Sequence, residues 1–178
     1  MKSCLIVIDF QNDFINGSLG FKKAEKLIEP IAEKIKLYRS SNDDIIFTYD
    51  THNKNYAETQ EGKKLPVAHC IKNTHGHMLN AEIEALRHPS DKCFEKCTFG
   101  SDKLFDYLRK TPYKNIELCG LVSNICVISN AVICKTAQPE TPIQVDINCT
   151  SSFNEELNKA ALAIMESIQI ELIGQKEK

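Results

Sequence analysis

The chain has 178 residues, 42% of them hydrophobic, with 22 lysines and arginines against 24 aspartates and glutamates and a net charge of −2. That length supplies one sizeable core and predicts a single domain over 1–178. Interspersed charges leave no basic stripe for nucleic acid and no acidic tail, and no apolar run reaches the roughly 20 residues of a membrane-spanning helix.

The first apolar run, CLIVID (4–9), predicts a strand. It has no small-residue cleavage site behind it, so no export signal is read there and a cytoplasmic location is expected. Asp9 closes this run, ahead of FQNDF, and should stand at the carboxyl edge of a sheet; taken alone, it reads equally well as a turn cap. Ile28, Ile31, Ile35 and Tyr38 follow at helical spacing with Pro30 in the first turn. DIIFTYD (44–50) is the second strand. Thr51 to about Met78 has no sustained period, and a loop of that length in a compact domain points to function. His75 and His77, near its end, read as surface residues.

KCFEK (92–96) is a weaker strand that ends on Lys96, close to Gly100, where a glycine allows near approach of another backbone. Leu104 and Leu108 mark a helix, and KNIELCG (114–120) marks a further strand. Cys126 then falls in the first turn of an apolar helix, where unpaired amides and the helix dipole favour thiolate over thiol. Strands follow at IQVDI (143–147) and IQIEL (168–172). Between them Leu157, Ala161, Ile164 and Ile168 predict a helix, opened by a capping box from Ser152 to Glu155. Alternating strands and helices predict an α/β three-layer sandwich around a parallel sheet, with ligands bound at the carboxyl ends of the strands.

Asp9, Lys96 and Cys126 would then converge from neighbouring strand ends. A cysteine nucleophile needs a base for its proton and a cation to hold its charge, and these three residue types supply those parts. The other seven cysteines form no repeated CxxC and read as reduced core residues. Asp50 and His52, two apart at the end of the second strand, point to one side.

Four segments in order, VIDFQNDF (7–14), YDTH through LPVAHC (49–70), FEKCTFGS (94–101) and GLVSNICV (120–127), resemble the isochorismatase-like cysteine hydrolases, in particular their nicotinamidase branch. The resemblance spans nearly the whole chain. It implies a central six-stranded parallel sheet with Asp9 as acid/base, Lys96 as the supporting lysine and Cys126 as nucleophile. It further implies a cis peptide between Leu121 and Val122 and an oxyanion hole from the backbone N–H groups of Val122 and Cys126. Asp50, His52 and His69 fall on the metal positions, with Glu61 as the fourth ligand. This implies one divalent ion, zinc foremost, with iron or manganese also suited to oxygen and imidazole donors.

The activity implied is hydrolysis of a small-molecule amide, nicotinamide to nicotinate and ammonia through a thioester. Phe14, Leu19 and Leu65 are the candidate substrate walls. LPVAH departs from the tryptophan-containing form of this loop, and the chain has no tryptophan. Competing readings are a cysteine hydrolase acting on another small amide, vinyl ether cleavage, which needs no nucleophilic cysteine, and a non-catalytic metal or redox-sensing protein. No nucleic acid or membrane partner is expected, and a homo-oligomer is left open.

Overall fold

The computed structural model describes residues 1–174. Its centre is one six-stranded sheet, parallel throughout: β1 Cys4–Ile8, β2 Asp44–Asp50, β3 Lys92–Lys96, β4 Ile116–Leu121, β5 Ile143–Ser151 and β6 Glu171–Ile173, in the order β3-β2-β1-β4-β5-β6. The helices are α1 Asn12–Ile15, α2 Lys22–Glu25, α3 Ile28–Ser40, α4 Gln60–Lys64, α5 Ala81–Glu84, α6 Asp102–Leu108, α7 Ile128–Ala137 and α8 Glu155–Ser167. Every residue of β1 is buried, as a strand covered on both faces requires. On one face Ile31, Ile35 and Tyr38 of α3 pack over Leu5, Val7, Ile45 and Phe47. On the other, Leu104, Leu108, Ala131, Cys134 and Met165 from α6, α7 and α8 cover Cys4, Ile6, Ile8 and Leu118. Strand order reverses between β1 and β4, and in a sheet of this kind the crevice at that switch point receives the ligand. Among the described residues no helix is long and apolar enough to cross a membrane.

Several local expectations are corrected. The last strand begins at Glu171 rather than at 168, because Ile168 closes α8 and Gln169 turns the chain with a positive φ of 67°. The N-cap of α8 is Asn154, whose side chain accepts from the Leu157 N–H; Ser152 instead accepts from the Asn154 N–H at 3.2 Å. An Asn two residues further on wins the cap and displaces the Ser152 box. Leu157, Ile164 and Ile168 of the proposed apolar stripe are exposed; its fourth member, Ala161, is buried, together with Met165. β5 runs to Ser151, past the expected end, after a register shift against β4 between Leu118 and Gly120. The long loop carries a 3-10 turn, Tyr56–Glu58, and the short helix α4.

Candidate active site

Asp9 follows β1, Lys96 ends β3, and Cys126 lies in a wide turn, Ser123–Val127, between β4 and α7. The structure brings all three together. The Lys96 ammonium is 2.6 Å from Asp9 Oδ2, 3.5 Å from Cys126 Sγ, and donates to the Thr98 carbonyl at 2.9 Å. Thr48 donates to the other Asp9 oxygen at 2.6 Å. All three side chains are buried. Burial pushes Asp9 upward, and Lys96 only partly offsets this. Burial also acts against the Lys96 ammonium, but Asp9, Cys126 and Asp50 outweigh it and hold the group charged.

The thiol departs from expectation. Burial, then the Asp9 carboxylate, pushes Cys126 well above its usual range, more than Lys96 pulls it down. Cys126 is the fourth residue of a turn with wider-than-α spacing, and the first α-helical residue comes two positions later. Burial and the neighbouring carboxylate thus favour thiol over thiolate at Cys126, with the Asp9–Lys96 pair beside it.

Asp50 ends β2, His52 follows it, His69 comes from the far end of the loop, and Glu61 sits on α4, whose N-terminus is capped by Thr59 accepting from the Gly62 N–H. One ligand atom from each of these four residues lies within 4.8 Å of the other three. His52 Nε2 and His69 Nε2 are 3.0 and 3.2 Å from Asp50 Oδ2, and each is 3.6 Å from Glu61 Oε1. His69 Nδ1 donates to the Val67 carbonyl at 2.8 Å, which fixes the ring with Nε2 turned toward the cluster. Burial disfavours the Asp50 carboxylate, but hydrogen bonds from His52 and His69 and the charge of Lys96 overcome it and hold the group below the usual carboxylate range. Two imidazoles and two carboxylates converging on one point fit a divalent cation. Asp50 also lies 3.7 Å from Lys96, so the cluster and the Asp9–Lys96–Cys126 group share a wall.

His77 was expected on the surface. It is only partly exposed, its Nε2 is 2.8 Å from the Thr51 hydroxyl, and its carbonyl accepts from Gln11 Nε2 at 2.8 Å. Gln11 also brackets Asp50, donating to its carbonyl at 2.9 Å and accepting from its N–H at 2.8 Å. His77 thus braces the segment between Asp50 and His52.

The Leu121–Val122 peptide bond is cis, and Val122 and Cys126 both line a cavity of about 190 Å³. Asp50, Glu61 and His69 border this cavity, and the expected Phe14, Leu19 and Leu65 are all among its walls. Phe99, Ile125 and Phe153 complete it. Phe99 lies within the FEKCTFGS segment and was legible there; Phe153 was hidden in the supposed capping box. Asn130 was also missed. It is fully buried, donates to the carbonyls of Phe99 (3.0 Å) and Cys126 (2.8 Å), and accepts from the Ser101 N–H at 3.0 Å.

Residues 3–177 match the model of the isochorismatase domain. The chain belongs to the isochorismatase family. It is 28% identical over 185 residues to the nicotinamidase of Saccharomyces cerevisiae, covering 80% of this chain and 85% of that protein. Among solved structures, the nicotinamidase PncA from Bacillus subtilis superposes with a TM-score of 0.86 at 26% identity, covering 98% of this chain and 100% of that one. The pyrazinamidase of Pyrococcus horikoshii in complex with zinc gives 0.84 at 23% identity, with 98% and 100% covered. At that identity the second likeness speaks for the fold alone. For this member of the isochorismatase family the α/β architecture with a six-stranded parallel sheet agrees with the sequence reading.

Proposed function

We propose that the protein is a metal-dependent cysteine amidohydrolase that converts nicotinamide to nicotinate and ammonia. The observation that carries this reading is the small cavity with the Cys126 thiol on one wall, a four-residue metal-ligand cluster on another and aromatic rings between them. At about 190 Å³ it is below the roughly 300 Å³ lower bound for drug-sized ligands and suits an amide on a single ring. The likeness to nicotinamidases supports the choice of amide.

In this reading Asp9 takes the proton from Cys126 Sγ, and the sulfur attacks the carboxamide carbon. The oxyanion that forms is held by the N–H groups of Val122 and Cys126. Asp9 then gives the proton to the leaving nitrogen, so ammonia departs and a thioester to Cys126 remains. A water molecule, deprotonated by Asp9, attacks the thioester carbon and releases nicotinate, while the proton returns to sulfur. Lys96 balances the charge on Asp9 and on the thiolate throughout. Asp50, His52, Glu61 and His69 would hold the divalent ion, which when bound supplies a Lewis acid for the ring nitrogen lone pair. Phe14, Leu19, Leu65, Phe99 and Phe153 exclude water from the ring.

The test is ammonia release from nicotinamide, pyrazinamide, benzamide and an aliphatic amide. The first two should react much faster than benzamide, which has the same shape without a ring nitrogen. Equal turnover of benzamide or of the aliphatic amide would place the protein on another small amide.

A further inference from the structure

The end of β5, the segment from α2 into α3 and the first turns of α8 enclose a second concavity of about 640 Å³. It shares no lining residue with the cavity beside Cys126. Lys23, Lys26 and Lys159 face it against a single carboxylate, Glu155, an excess of two positive charges on a chain whose net charge is −2. Glu155 is paired with Lys23; Lys26 and Lys159 have no ion pair among the described residues.

Ser151 adds an independent observation. It is 7% exposed and lines this pocket, and its hydroxyl makes no hydrogen bond among the described residues. The hydroxyls on either side are engaged, Thr150 donating to the Gly120 carbonyl at 2.8 Å and Ser152 accepting from the Asn154 N–H at 3.2 Å. The residue is more than nine-tenths buried, and its unpartnered hydroxyl is free to bond a ligand seated in this cationic pocket. Asn158 completes the set. Its carbonyl oxygen accepts from the Ser123 hydroxyl at 2.5 Å, so its amide N–H₂ is left to donate to a ligand. Leu27, Ile147 and Leu162 supply an apolar floor.

We infer that this pocket binds a phosphate-bearing small molecule. Two ammonium groups, an amide N–H₂ and a hydroxyl line the pocket from three places in the chain: Lys26 after α2, Ser151 at the end of β5, and Asn158 and Lys159 on α8. That arrangement suits the three terminal oxygens and double charge of a phosphomonoester better than a planar carboxylate, which two parallel donors satisfy. The apolar floor accommodates the organic part of an ester. Through Asn158 the pocket wall bonds to Ser123, the residue after Val122, so the site adjoins the turn that carries Cys126.

The test is isothermal titration of the full-length protein with adenosine monophosphate, inorganic phosphate, adenosine and acetate at one ionic strength. The wild-type chain is compared with Lys26→Glu, Lys159→Glu and Ser151→Ala; thermal melts confirm that each variant is folded, which the exposure of both lysines favours. The site is supported if adenosine monophosphate, with or without inorganic phosphate, binds while adenosine and acetate do not, and if each charge reversal weakens binding by about tenfold or more. Binding of inorganic phosphate as tightly as the ester assigns the affinity to the phosphate and none to the floor. The inference is overturned if neither phosphate probe gives heat with the wild type, if adenosine or acetate binds equally well, or if both charge-reversed variants keep wild-type affinity. These outcomes are read without any amide substrate, so they stand apart from the proposed amidase chemistry.

Discussion

Asp9 is the residue on which the proposed chemistry turns, since one carboxylate must accept a proton from sulfur and return it to nitrogen. Asp9→Asn keeps the shape and removes the base, so turnover should fall by roughly 10³-fold or more. The fold should persist: Lys96 retains the Thr98 carbonyl at 2.9 Å and Asp50 at 3.7 Å. Lys96→Ala is the harsher change, because it strands Asp9 as an uncompensated buried charge, at a cost of roughly 3–5 kcal/mol where a buried pair is broken. Thermal melts and single-turnover rates on both variants measure this contrast; near-wild-type rates in either would remove the assigned roles. The pH dependence follows from the direction of the Asp9 shift. Burial raises its pKa above the unfolded value, so the stability it contributes is full when it is protonated and is lost as pH rises through the folded pKa. Activity runs the opposite way, since the base must be ionised. The acid limb of kcat/KM should therefore fall at a pH above the ordinary carboxylate range and be absent from any residual activity of Asp9→Asn. A limb at or below the ordinary range would show that the titrating base lies elsewhere.

At the scale of elements, the site depends on how the segments after β3 and β4 are held together, and Asn130 on α7 makes that junction. Its three hydrogen bonds reach the carbonyls of Phe99 and Cys126 and the N–H of Ser101. Gly100 lies between Phe99 and Ser101, and a Cβ there would come within 2.6 Å of Ile133 Cδ1 on α7, so glycine permits the close contact. Asn130→Ala should leave three backbone groups without this partner, two of them buried, costing on the order of 3 kcal/mol in chemical denaturation. A displaced Cys126 should also lower kcat by about 10²-fold. Loss of stability with kcat unchanged would make Asn130 structural only. Nothing in the sequence exposed this residue, because a buried asparagine on an apolar helix has the local signature of a surface position. The strands were legible because both their faces are buried, which gives β1 its unbroken apolar run and leaves Glu117 as the one charged residue of β4. The face of α8 was not, since Leu157, Ile164 and Ile168 keep the helical period while standing exposed, and periodicity reports a stripe without reporting what covers it. The thiol's upward shift was equally hidden: a turn-and-helix reading supplies the dipole, but burial and the nearby carboxylate come from the tertiary fold.

For the whole molecule the metal cluster is the point where distant parts of the chain meet. Asp50 belongs to the sheet, whereas Glu61 and His69 belong to the long loop, and their convergence closes that loop over the cavity beside Cys126. The packing around it is aromatic: Tyr56 lies 4.7 Å from the His52 ring and 5.0 Å from the His69 ring, centroid to centroid, and Phe14 lies 5.6 Å from His69. An ion bound to this set would stabilise the folded chain by mass action, by about 2.7 kcal/mol at a hundredfold excess over Kd. One divalent ion per chain is expected in elemental analysis. Chelation should lower the melting temperature and open the segment between His52 and His69 to proteolysis, because three of the four ligands, His52, Glu61 and His69, anchor it. His69→Ala should reproduce both effects without chelator, and His52→Ala should do the same. Returning zinc, iron or manganese to the stripped wild type should restore the melt, and the ion that also restores ammonia release from nicotinamide identifies the functional metal. Protein that is metal-free as purified, melts unchanged after chelation and hydrolyses nicotinamide at full rate would reduce Asp50, His52, Glu61 and His69 to a buried ion-pair network. The ring nitrogen would then need a different partner in the cavity.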